Sequence, residues 1–230
     1  MQPDARPTTG SPFVVRETTE QLVERAAALA RSGTRRLLGI TGAPGAGKST
    51  LCAALRDALG ERAALIGMDG FHYANRELRR LGRRDRKGAP DTFDVDGYVA
   101  LLTRLRTPGP DPVYGPVFDR ALEESVGSAV PVPSTTPLVL TEGNYLLLDE
   151  HGWGAVRRCL DEVWYLDVPP EVREQRLLRR RLSFGHEPRA AEDWVREVDG
   201  RNGRTVESSR SRADLVVHLD VPETTDAPLP

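Results

Sequence analysis

The sequence predicts an α/β fold in three layers, a mostly parallel central sheet with helices on both faces. Three observations carry that expectation. Short apolar runs of strand length alternate with segments of helical spacing along most of the chain, the order that parallel strands joined by crossover helices require. One run leads into a glycine-rich turn and then a helical segment, Gly39 to Leu51 (GITGAPGAGKSTL), the setting in which backbone N–H groups can converge on phosphate. The length, 230 residues without an internal repeat, suits one domain with a substantial core.

Taken in order, residues 1–12 are polar and proline-containing and read as a disordered tail. Glu17 to Ser32 reads as a helix, capped by Thr18 or Thr19, striped by Leu22, Ala26 and Leu29, and stopped by Gly33. Arg35 to Thr41 is the first central strand, and Ser49 to Leu59, ended by Gly60, is the helix behind the loop. Ala63 to Met68 is a second buried strand, delivering Asp69-Gly70-Phe71-His72 at its end. Asn75 to Leu81 reads as a short helix and Gly82 to Asp91 as a charged loop rich in breakers. Val95 to Arg106 carries the helical stripe Tyr98, Leu101, Leu102 and Leu105, with Asp94 or Asp96 as its cap. Residues 107–137 form a proline-rich excursion with β-like pieces at Pro112 to Phe118 and Ser125 to Val132. Leu138 to Gly143 and Val163 to Val168 are further buried strands. Helices follow at Glu171 to Leu182 and Ala190 to Arg201, then a last strand at Asp214 to Leu219 and a tail at 222–230. Residues 13–221 thus read as one domain. A phosphate loop on such a sheet makes this the three-layer P-loop NTPase fold.

Composition narrows the function. Basic and acidic residues nearly balance, 32 against 34, so bulk charge gives no footprint for nucleic acid. No apolar run reaches the length of a membrane span, and the N-terminal segment lacks the layout of a signal peptide. A soluble cytoplasmic protein is the expectation. Cys52 and Cys159 are too far apart in sequence to form a metal pair, and Cys52 reads as a small buried residue.

Gly42 to Ser49 fits G-x-x-x-x-G-K-[ST]. Gly42, Gly45 and Gly47 permit a backbone path that side chains would obstruct, so Gly42, Ala43, Pro44, Gly45, Ala46, Gly47, Lys48, Ser49 and Thr50 form the predicted nucleotide cradle. Lys48 would reach the β- and γ-phosphates, and Ser49 would offer its hydroxyl to Mg²⁺. Lysine occurs only at positions 48 and 87 in a chain that otherwise uses arginine, which marks Lys48 as a place where a compact ammonium suits phosphate. GTP-binding switches carry a guanine-reading N-K-x-D, absent here: the two lysines are followed by Ser49 and Gly88. Hydrolases, kinases and regulators that bind ATP remain.

The segments GAPGAGKST, MDGFHYAN, RKGAPDTFD, GPVFDR, TEGNYLLL and RLLRRR, in this order, resemble the phosphoribulokinase/uridine kinase superfamily, nearest its pantothenate kinase-like and nucleoside/nucleotide kinase branch. The resemblance spans about Leu37 to Leu219 and implies ATP, Mg²⁺ and phosphorylation of a small hydroxylated metabolite. It also admits a homodimer. It matches Asp69 to the carboxylate that orients or deprotonates the acceptor hydroxyl, and Glu142 to a metal-site carboxylate beside Ser49. Arg176, Arg179 and Arg180 match a lid pattern, which implies a lid at 171–187, with Arg176 and Arg180 as the expected catalytic pair. His72, Tyr73, Lys87, Asp94, Phe118 and Arg120 fall in segments that line the acceptor pocket of relatives. Leu182-Ser183-Phe184-Gly185-His186 stands where uridine kinases continue with an Arg-Asp pair, and Phe118-Asp119-Arg120 where the pantothenate branch carries Y-x-H. Arg120 points to an anionic or polyhydroxylated acceptor. A nucleoside or related metabolite ranks first, then a sugar or pantothenate-like acid, then an ATP-binding regulator.

Overall fold

The computed structural model describes residues 11–220; the tails read at 1–12 and 222–230 lie outside them except for Ser11 and Pro12. Eight strands and eight α-helices are found among the described residues. Strands β1 (Phe13–Glu17), β2 (Arg36–Thr41), β3 (Ala63–Gly67), β6 (Leu138–Glu142), β7 (Glu162–Leu166) and β8 (Leu215–Leu219) form one sheet in the order β1-β8-β7-β2-β6-β3. Every pairing in it is parallel. Strands β4 (Val113–Asp119) and β5 (Glu124–Val132) form a separate antiparallel hairpin.

The two-residue period of a strand sorts the sheet's side chains into two cores. Leu38, Leu140, Trp164 and Val217 face one way, onto α1 (Thr19–Ala30) and α2 (Lys48–Leu59). Leu37, Val139, Val163 and Val216 face the other way, onto α4 (Val95–Arg106) and the short α5 (Gly154–Cys159). The central strands therefore read as continuous apolar runs rather than alternating ones.

Register places the site. Ile40 and Gly67 both pair with Glu142, so the ends of β2, β6 and β3 lie in one row. Thr141 Oγ1 donates to Ile66 O at 2.6 Å and the buried Tyr98 hydroxyl lies 2.5 Å from Thr141 Oγ1, locking that row from beneath.

Most expected elements are present, the Val95–Arg106 helix with the same ends. Others differ. Phe13–Glu17, placed between a tail and a helix, is an edge strand beside β8; its alternation is masked because Phe13 and Val14 stay exposed. The helix after it starts later, at Thr19, because Thr18 and Gln21 form a capping box. Helix α5 has only six residues, too few to show a stripe. The single helix read at Ala190–Arg201 is α7 (Pro188–Trp194), a π turn (Val195–Asp199) and α8 (Gly200–Glu207). Between β3 and α4 lies the short α3 (Asn75–Arg80), and α6 (Pro170–Ser183) follows β7.

The β4–β5 hairpin docks where glycine leaves room. A Cβ on Gly70 would meet the backbone of Pro116 in β4, 2.8 Å from its carbonyl oxygen. The substitution Gly70→Ala therefore has to displace the hairpin and is expected to destabilise the protein by about 1–3 kcal/mol. Gly127→Ala, where a Cβ meets nothing within 4 Å, is expected to stay within about 0.5 kcal/mol. Thermal melts of the two variants check the pair.

Candidate active site

The donor side is built at the end of β2. Gly42, Gly45 and Gly47 have φ of 148°, 81° and 90°, values open to glycine. The fit is close: a Cβ on Gly42 would approach Leu166 O, and one on Gly45 the Arg173 carbonyl, each at 2.7 Å. Ala43, Pro44 and Ala46 are buried and shape the loop from behind, whereas Ser49 and Thr50 are exposed at the start of α2. This twelve-residue helix presents its free N–H groups and positive dipole end to the loop. Lys48 Nζ donates to Gly42 O at 2.8 Å and Ala43 O at 3.1 Å. Burial pushes its ammonium down to about 8, while the Glu142 and Asp69 carboxylates pull the other way.

Glu142, at the end of β6, accepts from Ser49 Oγ on both carboxylate oxygens, at 3.1 and 3.0 Å. Burial raises its pKa and Lys48 opposes the rise. A hydroxyl and a carboxylate in contact beside a phosphate loop are the hard oxygen donors that suit Mg²⁺. Among the described residues no cluster of three or more His, Cys, Asp or Glu could hold a metal. Cys52, buried behind the loop, has its thiol raised well above the usual range by burial, an inert packing residue.

The acceptor side is assembled from β3, the Gly82–Asp91 loop and the hairpin. Asp69 lies in a tight turn after β3 and faces Arg120, 3.9 Å away at the tip of the hairpin. The His72 ring Nδ1 lies 2.9 Å from Asp69 O, and the ring is stacked between Phe93 and Phe118, with centroids 4.0 and 5.0 Å away. Burial lowers the His72 pKa. Tyr73 N donates to Thr92 O and Asp94 N to Phe71 O, so both residues flank the turn; the Asp94 carboxylate also caps α4 through Gly97 N.

Lys87 sits inside the wall of the pocket. Its side chain is 8% exposed, its ammonium donates to Asn75 Oδ1 and Glu123 O at 2.9 and 2.7 Å, and it lies 4.8 Å above the Phe118 ring. Sequence reasoning missed the partners that brace this region: Asn75, Glu123 and Glu124, and the Tyr145 hydroxyl and Trp153 Nε1, which donate to Gly88 O and Pro90 O. The aromatic residues of GNYLLL and HGW were the available signal.

Helix α6 supplies the lid arginines. Arg176 Nη1 donates to Gly45 O at 3.4 Å, and Arg180 is near enough to Lys48, Arg120 and Asp69 to be coupled to each. Arg179 is exposed on the same helix. Arg173, one turn before Arg176, is instead buried and ion-paired with Glu207. Lys48, Asp69, Glu142, Arg120 and Arg180 thus lie near enough to act on one another electrostatically.

Comparison with known proteins places this arrangement. The family model for "Methylmalonyl Co-A mutase-associated GTPase MeaB" matches residues 11–71, the stretch holding the phosphate loop and Asp69 but not the acceptor wall. A Schizosaccharomyces pombe protein named "Putative uridine kinase C227.14" is 35% identical over 175 residues, covering 72% of this chain and 74% of that one. The crystal structure of a "putative fructose transport system kinase" from Silicibacter sp. TM1040 is 36% identical and superimposes with a TM-score of 0.79, covering 87% of this chain and 98% of that one. "ATP-dependent kinase YFH7" from Saccharomyces cerevisiae is 26% identical over 196 residues, covering 68% of this chain and 55% of that one. The YFH7 crystal structure shares the fold, with a TM-score of 0.76 at 18% identity over 89% of this chain and all of that one.

If phosphate is taken up by the Lys48 ammonium, binding above a pH of about 8 has to take up a proton. Affinity for a magnesium complex of a non-hydrolysable ATP analogue is expected to be flat below that pH and to fall by up to about tenfold per unit above it. Lys48→Met is expected to bind far more weakly and without that dependence. Calorimetry in two buffers of different ionisation enthalpy reads both the affinity and the proton.

Proposed function

We propose that this chain, which belongs to the uridine kinase-like family of P-loop kinases, transfers the γ-phosphate of ATP to a hydroxyl of a nucleoside or a related small metabolite. The observation that carries the proposal is the convergence of two charge sets on one cleft. Lys48, Ser49 and Glu142 form a donor half, and Asp69 with Arg120, 3.9 Å apart, forms an acceptor half beside it.

Phosphoryl transfer asks a protein mainly for positioning and charge stabilisation. The loop N–H groups and Lys48 hold the β- and γ-phosphates, and Arg176 and Arg180 on the lid offset the charge that develops as the bond to the leaving oxygen loosens. Asp69 orients the acceptor hydroxyl and takes its proton. Arg120 neutralises Asp69 until an acceptor enters and then turns to the acceptor's own oxygens. When bound, Mg²⁺ would be held by Ser49 and Glu142 and would neutralise phosphate charge. His72, Phe118 and Tyr73 line the acceptor pocket, closed behind by Lys87 and Asp94.

A second reading, a sugar or acid acceptor, is favoured by Arg120, whose side chain is 60% exposed and aimed at the carboxylate that meets the acceptor. The name of the Silicibacter relative agrees with a sugar. Turnover with a panel of nucleosides, sugars, sugar acids and pantothenate separates the two. ATP loss that released only inorganic phosphate across the whole panel would instead support an ATPase or regulator.

Asp69→Asn is expected to lower transfer by about 10²–10⁴-fold while the non-hydrolysable ATP analogue still raises the melting temperature as in the wild type. Normal turnover by that variant would remove Asp69 from the chemistry.

A further inference from the structure

The lid helix α6 is held against the arm formed by α7, the π turn and α8 at two points of different character. Near the phosphate loop the attachment is tight: Arg173 is buried, donates to Val168 O at 3.0 Å and is ion-paired with Glu207 of α8. Toward the far end, Arg181 faces Asp199. Their side chains are 20% and 13% exposed, Nε and Oδ2 stand 3.6 Å apart, and neither atom has a hydrogen-bond partner. That separation is too long for a hydrogen bond, and a buried donor facing a buried acceptor without pairing is rare enough to need a reason.

Asp199 closes the π turn, where Gly200 N–H reaches back to Val195 O. Such turns are uncommon and recur at functional sites. The same arm presents Trp194, over whose ring the Arg181 guanidinium lies at 4.7 Å. Arg181 thus meets the arm at two residues, Asp199 and Trp194. Arg180, the residue before it, lies about 100° away around the helix, within electrostatic reach of Arg120 and Asp69 as well as of Asp199 itself. Fixing Arg181 on one side therefore fixes how α6 is rotated, and so where Arg180 is aimed.

We propose that Asp199 is a positioning residue for phosphoryl transfer: it holds Arg181 to the arm and thereby directs Arg180 at the transferred phosphate. The proposal rests on the kinase reading of the cleft. The tight Arg173 contact anchors α6 near the phosphate loop, and the Asp199–Arg181 pair sets its far end.

Asp199→Asn, Arg181→Lys and the double variant test it, by steady-state ATP turnover with the best acceptor of the panel, or with water if none is found. Binding of the magnesium complex of the β,γ-imido analogue of ATP is followed alongside by thermal shift. Each single variant is expected to lose about 10- to 100-fold in kcat, with KM for ATP and analogue affinity within about threefold of wild type. The double variant is expected to be no worse than either single one. Unchanged kcat, additive losses, or analogue binding and melting temperature that fall in step with kcat would each overturn the proposal; Arg181→Lys keeps the test open if Asp199→Asn does not fold. A wild type that neither binds the analogue nor consumes ATP would sink the kinase reading itself, whereas an active wild type matched by Asp199→Asn would sink only the role of Asp199.

Discussion

The parallel register of β2, β6 and β3 is the constraint on which the rest of the molecule depends. Because Ile40, Glu142 and Gly67 share one row, three chain segments leave the sheet side by side, about 4.8 Å apart. One becomes the phosphate loop, one ends on Glu142 and one reaches Asp69 two residues later. A slip of one residue in β6 would turn Glu142 to the opposite face of the sheet and part it from Ser49. The buried Tyr98–Thr141–Ile66 link beneath the row resists such a slip, so a hydrogen bond within the core sets the distance between two halves of a reaction.

Charge in the cleft follows from that geometry. Carboxylates at two strand ends would repel, and burial already works against ionisation of Glu142. Lys48, Arg120 and Arg180 are the counter-charges, and they come from three different elements: the loop, the hairpin and the lid. Each cation is therefore supplied by a different element, while Glu142 ends a strand of the sheet and Asp69 lies in the turn directly after one. On the proposed function, an incoming triphosphate would compete with Glu142 and Asp69 for the same cations.

What could be read from the sequence was what local chemistry dictates. The loop, the buried strands and the carboxylates at their ends carry strong local signals, since three glycines spaced through a strand-to-helix turn and unbroken apolar runs each suit few backbone conformations. Contacts across long stretches of chain were not legible. Arg173 shares a helical face with Arg176 and Arg180, yet it is buried against Glu207, a difference set by an arm 34 residues later. The enclosure of Lys87 was hidden because Asn75 and Glu123, which enclose it, lie 12 and 36 residues away. The π turn has no periodic signature, since its insertion looks like the drift of an ordinary amphipathic pattern.

The hairpin bears on how such a protein changes its diet. It is inserted between α4 and β6, belongs to no strand of the main sheet, and rests on it through the close approaches at Gly70 and Gly115. The residues it lends the cleft, Phe118 and Arg120, can therefore be exchanged without touching the register that fixes Glu142 and Asp69. On the proposed function, part of the acceptor wall would sit on a ribbon separate from the sheet that carries the donor site, so a lineage could alter that part by drift there while the sheet stays undisturbed.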